Sequence, residues 1–404
     1  MSTDTTAAAP PQPGATLDVL ARHRFRELDG IRGIAAMMVV IFHATNTVFS
    51  IPAATGLGMV AMAIMGVCNG AIAVDLFFIM SGFFLIQMLE SGHQAGFWRF
   101  YQRRLGRLVP PAVVAVTALY LYSLLGLNLA PEHAKFAAQQ YSVYQARNAH
   151  VSWQELLLEL LLLRCNLDPI IWTLRVELTI SLLYPAIVWL HWANPRRFSR
   201  AMLLAAFLGC AILLNAHQQH GAEVFHHLYM FYAGTLARDM GPEIQRLPGW
   251  MPVLLAIAGC LGMVATGELM VTSIVGTMPG KYVANIAHPL LFDLLITASG
   301  TVLIAMMAYG IMPRARALML APLVQFLGRI SFSVYLLHWL VLRALGQIML
   351  TQDIPQRLGM PGALVLLIAG VVALTVPIAL AFHVAVERPA VAWSRRLGGW
   401  ANAT

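Results

Sequence analysis

Ten stretches of this chain are apolar for long enough to cross a bilayer, and that feature excludes most folds. A crossing helix needs about 17–25 mainly apolar residues. The stretches run over 31–50, 69–89, 109–127, 170–192, 201–217, 227–240, 250–267, 288–312, 330–350 and 361–384, the sixth being short and polar at its ends. Lipid offers backbone N–H and C=O groups no partner but each other, so such segments are helices. The expected fold is all-α: a polytopic membrane helix bundle of about ten transmembrane helices. Composition agrees, with 59% hydrophobic and 11% charged residues among 404. An ordinary soluble domain has about 45–50% apolar and about 25% charged residues. Soluble and disordered chains are both excluded.

The formal net charge is +8. Because the basic residues sit between the apolar runs, they orient a membrane protein rather than grip nucleic acid. Of the 26 Lys and Arg residues, 18 fall in gaps on one side and five on the other, with Arg32, Arg175 and Arg343 inside spans. That asymmetry puts both termini in the cytosol. Residues 1–25 lack the apolar core of a signal peptide and read as a disordered cytosolic tail. Residues 26–396 read as one membrane domain, and 397–404 as a second cytosolic tail. The run Leu156–Leu163 is too short to span and carries Glu159, so it predicts an interfacial or re-entrant helix. Cys68, Cys165, Cys210 and Cys260 form neither a disulfide framework nor a zinc pattern.

Ionisable groups inside spans are costly and demand a reason. Here they are Arg32, His43, Asp75, Arg175, Glu177, Asp293, His338, Arg343 and His383. Arg32 and His43 are eleven residues apart, about three helical turns, so they share one face, with His43 about 16 Å deeper. An arginine at the mouth of a cavity suits phosphate or carboxylate, and a deep imidazole suits proton transfer. A snorkelling anchor and a single structural hydrogen bond are the plain alternatives.

In the first cytosolic loop, FWRFYQRRLGRLVPP places Arg104 and Arg107 at i, i+3, on one face if helical, where two guanidiniums could clamp a polyphosphate. The positive-inside rule alone would also place them there. In the second span Asp75 is embedded in apolar residues, and Ser81-Gly82 is a small-residue spot where helices can approach closely. In the fourth span Glu177 and Tyr184 share a face, and Arg175 could pair with an acid such as Asp293. In the ninth, Ser331, Tyr335 and His338 form a polar stripe, either an internal hydrogen-bonded seam or a substrate-lining face. The segment holding His217, His220, His226 and His227 lacks the carboxylates or cysteines that would fix a metal geometry, so no metal is expected. There is no P-loop, dinucleotide fingerprint or GxSxG elbow.

Taken together, LDGIRG with R-x10-H (Arg32, His43), DLFFIMSGFF, the R-x-x-R pair Arg104 and Arg107, WTLRVE followed by Tyr184-Pro185, ISFSVYLLH and VERPA resemble the acyltransferase-3 family of membrane O-acyltransferases. The resemblance runs from about Arg26 to Arg396. It implies O-acylation of saccharides such as surface polysaccharide or glycolipid, in a bacterial inner membrane, with cytosolic acyl-coenzyme A (acetyl-CoA in the usual case) as donor. It implies that His43 is catalytic and that Arg32, Arg104 and Arg107 bind the donor. Its implications for Asp75, Trp172, Glu177, Tyr335 and His338 are weaker: Glu177 or Asp75 as the acid orienting the imidazole, and Trp172, Tyr335 and His338 as substrate-binding residues. Some relatives carry an extracytoplasmic SGNH-type domain after the last span. Only 20 residues follow residue 384, so the expectation is that no such domain is present and that the acceptor meets the membrane domain directly, or a separate assembly protein completes transfer. Two other classes compete: a proton-coupled transporter, and a non-catalytic subunit of a polysaccharide assembly complex. The absence of an inverted repeat speaks against the first.

Overall fold

The computed structural model of the protein describes residues 25–52, 55–91, 96–125, 136–138, 141–142, 145, 151–216, 223–248, 250–251, 253–255, 257–263, 288–309 and 312–397. The expected tails and the seventh expected span lie wholly or partly outside them. Among the described residues the structure is helical, with one isolated antiparallel bridge between Phe49 and Ala137. Its main helices are α1 (Arg26–Asn46), α2 (Gly56–Val67), α3 (Gly70–Ser91), α4 (Gly96–Leu124), α5 (Trp153–Leu160), α6 (Trp172–Ala193), α7 (Arg197–Ala216), α8 (Leu228–Asp239), α9 (His288–Ala308), α10 (Pro313–Met319), α11 (Pro322–Thr351) and α12 (Ile354–Phe382). A π-turn over His383–Glu387 and α13 (Arg388–Leu397) complete it. Six helical stretches are long and apolar enough to cross a membrane, and a seventh is formed if the sharply bent pair α9–α10 is one span. The protein is a multi-pass membrane helix bundle. α8, at 12 residues, is shorter than a spanning helix needs.

Two segments differ from the sequence reading. Residues 97–111 are not a loop: α4 is one 29-residue helix that runs through Pro110 and Pro111. Packing against neighbouring helices lets a membrane helix accommodate proline. α2 was not anticipated. Its N-cap is Thr55, whose side chain accepts from the Gly58 N–H at 3.0 Å.

Small residues set the closest helix crossings. A Cβ at Gly82 would overlap the Phe231 carbonyl, and one at Gly234 the Ile79 carbonyl, so α3 and α8 meet backbone to backbone. Tyr184 of α6 ties this crossing by donating to the Gly82 carbonyl at 2.8 Å. Ion pairs fasten one end of the bundle: Glu27 with Arg316 (2.6 Å), Glu90 with Arg238 (2.5 Å), and Asp239 with Arg200 (2.6 Å). They join the start of α1 to α10, the end of α3 to the end of α8, and that end of α8 to the start of α7.

Arg343, buried in α11, donates from Nη2 to Gln145 Oε1 at 2.8 Å and lies over the Tyr122 ring. Its charge therefore has a structural partner. A pairing of Arg175 with Asp293 lies outside the described side chains. α5 is the expected short helix, opened by a Ser152–Glu155 capping box. After it the chain reverses at Leu162 (φ 57°). The buried Glu159 carboxylate holds that reversal by accepting the N–H groups of Asn166 (2.9 Å), Leu167 (3.4 Å) and Asp168 (2.8 Å).

Candidate active site

The LDGIRG motif is built for close approach. A Cβ at Gly30 would lie 2.6 Å from the Met319 carbonyl oxygen, and one at Gly33 2.5 Å from the Gly328 nitrogen. α1 therefore packs directly on the end of α10 at Gly30 and on the start of α11 at Gly33. Beside this seam Arg32 of α1 and Ser331 and Tyr335 of α11 face one cavity.

That inner cavity has a volume of about 60 Å³, room for a few water-sized groups. Its polar wall is Arg32, Ser81, Arg104, Arg107, Glu177 and Tyr335, and Phe77 and Phe78 supply apolar surface. It adjoins an outer vestibule of about 570 Å³, with which it shares Arg32, Ser81, Arg104 and Arg107. α4 being helical here, Arg104 and Arg107 do lie one turn apart on a common face.

Arg104 is buried and forms an ion pair with Glu177. Ser81 donates to Glu177 Oε1 at 2.9 Å, and Arg104 Nε donates to Ser181 Oγ at 3.0 Å. Glu177 thus fixes a guanidinium rather than an imidazole. Asp75 is buried in α3 and lines neither cavity. The Arg32 guanidinium lies 5.2 Å from the centre of the Phe84 ring.

His43 lies beyond the inner cavity. Its ring is stacked on His338 (centroids 5.5 Å apart), stands edge-on to Trp339 (5.4 Å) and contacts Phe42 (5.5 Å). His338 Nδ1 is 2.6 Å from the Tyr335 carbonyl oxygen, so that nitrogen carries the proton and Nε2 the lone pair. Tyr335 lines the inner cavity and its ring is 5.7 Å from His338. Its hydroxyl is held 3.1 Å from the Ile170 carbonyl and 2.8 Å from Thr173 Oγ1. The line from vestibule to inner cavity to Tyr335 ends at the two histidines. Trp172 lines neither cavity and packs on Phe78 and His227.

A family model of the acyltransferase domain, acyltransferase-3, matches residues 25–382. The chain belongs to the acyltransferase-3 family. It is an enzyme, a membrane-embedded O-acyltransferase. It is similar to the putative membrane-bound transacylase BcsY of Komagataeibacter xylinus, at 25% identity over 411 residues that cover 96% of this chain and 89% of that one. It is also similar to the O-acetyltransferase OatA of Staphylococcus aureus, at 22% identity over 204 residues that cover 47% of this chain and 29% of that one. No solved structure matches.

Sequence reasoning missed several polar groups of this site, among them Ser181, Thr173 and Glu387. Glu387, in VERPA, is buried, accepts from Ser333 Oγ at 2.7 Å and lies 2.8 Å from His383 Nδ1. The π-turn aims both His383 and Glu387 at the outer vestibule. Such turns gather at functional sites, but their backbone has no sequence signature. His217 and His220 lie outside the described residues, while the rings of His226 and His227 meet edge to face, centroids 5.0 Å apart. Among the described residues no three His, Cys, Asp or Glu side chains gather as a metal site.

Proposed function

We propose that this acyltransferase moves an acyl group, acetyl in the simplest case, from cytosolic acyl-coenzyme A to a hydroxyl of an extracytoplasmic saccharide or glycolipid. Residues 26–396 act as a single multi-pass unit in a bacterial inner membrane, both chain ends being cytosolic as the Lys and Arg asymmetry favours. The observation that carries the reading is the stepped cavity. A wide vestibule with guanidiniums narrows to a slot lined by Tyr335, whose ring lies 5.7 Å from His338, the ring stacked on His43. The phosphates of the donor match the guanidiniums, and its thin pantetheine arm matches the slot.

In the reaction the acceptor oxygen attacks the thioester carbonyl while His43 takes its proton. The C–O bond forms, the C–S bond breaks and the thiolate leaves, which needs little acid assistance because thiols ionise near about 8.5. Coenzyme A and the acyl ester are the products. In the variant route the His43 imidazole attacks first, carries the acyl group and passes it to the acceptor. Arg104, steadied by Glu177 and Ser181, binds the donor with Arg107 and Arg32. Tyr335 and His338 line the way to His43. The names of the relatives, a transacylase and an O-acetyltransferase, support acyl transfer to oxygen.

The test uses purified protein in lipid nanodiscs with labelled acetyl-CoA. Wild type is expected to bind donor and release thiol. His43→Ala should bind but not turn over, and Arg104→Ala/Arg107→Ala should bind weakly. Label retained on the protein without acceptor selects the acyl-histidine route. A well-folded wild type that neither binds nor consumes any acyl-coenzyme A would overturn the reading and leave transport as the next to test.

A further inference from the structure

The vestibule contains two tiers of guanidiniums. Arg32, Arg104 and Arg107 line both chambers, whereas Arg329 and Arg395 line only the outer one. The five come from four separate helices: α1, α4, α11 and α13. A rule that merely enriches one membrane face in Arg does not make them converge on one cavity. Arg104 is occupied by Glu177. Among the described residues Arg107, Arg329 and Arg395 form no ion pair, and Arg329 and Arg395 are exposed to solvent. Two acids share the wall. Glu387 is only 5% exposed and engaged by Ser333 and His383, and Asp29 sits near Arg32 at the start of α1. Both acids are engaged, whereas Arg329 and Arg395 form no ion pair among the described residues.

We infer that Arg329 and Arg395 form a subsite for the ribose 3′-phosphate of the coenzyme A donor, distinct from the diphosphate site at Arg32, Arg104 and Arg107. This rests on the donor proposed above and adds what it does not contain: a residue-level basis for choosing coenzyme A over shorter or less phosphorylated thioesters. Coenzyme A carries its phosphates in two places, a diphosphate leading into the pantetheine arm and a monophosphate on the ribose. The protein presents cations in two places in the same order. Those at the neck adjoin the slot that takes the arm, and those at the rim adjoin only the chamber of about 570 Å³, a size suited to a nucleotide. A phosphate monoester carries up to two negative charges and accepts paired guanidinium hydrogen bonds. The π-turn is the positioning element, since Glu387, tied to Ser333 of α11, fixes how α13 leaves α12 and hence where Arg395 stands.

The experiment compares binding of coenzyme A and 3′-dephospho-coenzyme A by calorimetry, with the full chain in nanodiscs. Wild type is expected to prefer coenzyme A by at least about tenfold, the effect of one or two charged hydrogen bonds. In Arg329→Ala/Arg395→Ala that ratio should fall toward one. It should persist in Arg396→Ala, a neighbouring exposed arginine outside the cavity wall. Equal wild-type binding of the two ligands overturns the subsite while leaving the donor intact. A preference that survives in the double variant overturns it too, because the 3′-phosphate is then held elsewhere. Binding of neither ligand overturns the subsite together with the donor.

Discussion

Glu177 reaches Arg104 across 73 residues of sequence and pairs with it while accepting from Ser81, so its carboxylate serves a guanidinium. A buried ion pair opposed by desolvation stabilises little as a unit, but removing one partner strands the other. Glu177→Ala is therefore expected to lower stability by about 3–5 kcal/mol, and Arg104→Ala by a similar amount. Glu177→Met/Arg104→Met should lose far less than the sum. Thermal unfolding of the four proteins in one detergent checks this. Additive losses would mean the two groups do not act as a pair.

His43→Ala should lower thiol release by about 10²–10⁴-fold, the span of a positioned acid–base group. The loss should appear in kcat rather than in donor affinity, since His43 lines neither cavity that meets the donor's phosphates. A rise in KM at unchanged kcat would place His43 in binding instead.

Gly82→Ala should abolish the folded protein, because the added methyl would overlap the Phe231 carbonyl and force α3 off α8. The control is Gly209→Ala in α7, where nothing lies within 4 Å of the added methyl. There, alanine should stabilise by about 0.5–1 kcal/mol. Yield and monodispersity on size exclusion separate the two; equal behaviour would deny the tight crossing.

Glu159→Ala would orphan the N–H groups of Asn166, Leu167 and Asp168, each at about 1–3 kcal/mol if left without water. A fall in Tm is expected, together with proteolytic cutting between Leu162 and Asp168. An unaltered digestion pattern would show that the carboxylate does not hold the loop.

Asp168, ahead of α6, is buried, and burial pushes its carboxyl up to about 8, against the pull of the Ile170 N–H. An unfolded Asp titrates near about 3.9. Between those values the folded chain holds a proton that the unfolded chain lacks, so this group makes stability fall as pH rises from about 4 to about 8. Asp168→Asn keeps an acceptor for Ile170 and removes the titration. The unfolding midpoint of the variant should therefore decline less with pH than that of wild type; parallel curves would refute the assignment.

The helical class, most spans and the Arg32–His43 face were legible because a 3.6-residue period and bilayer length leave little freedom. Arg104 and Arg107 were legible as a pair, but not as helical, because Pro110-Pro111 reads locally as a break and only packing overrides it. Glu177 was legible as an odd charge, though not as the partner of Arg104, since that contact joins α4 to α6 and has no local trace. The stacking of His338 on His43 is hidden for the same reason. Glu387 was hidden by the π-turn, whose one extra residue re-aims a side chain that ordinary helical periodicity would point elsewhere.

Because Gly30 leaves no gap between α1 and α10, and Gly33 and Gly328 leave none between α1 and α11, α1 cannot slide or tilt to suit its ligand. The rise from Arg32 to His43, about 16 Å for eleven residues, is then a fixed gauge. A donor anchored by its phosphates at one mark delivers its acyl carbon to the other only when its arm has the matching reach. Under the proposed donor, acetyl phosphate would have the charge and fall short, whereas a thioester at the tip of a long arm would arrive. Selection by length would then require no recognition of the acyl group itself, and the same scaffold would pass acetyl or a larger acyl group while rejecting every short-armed carrier.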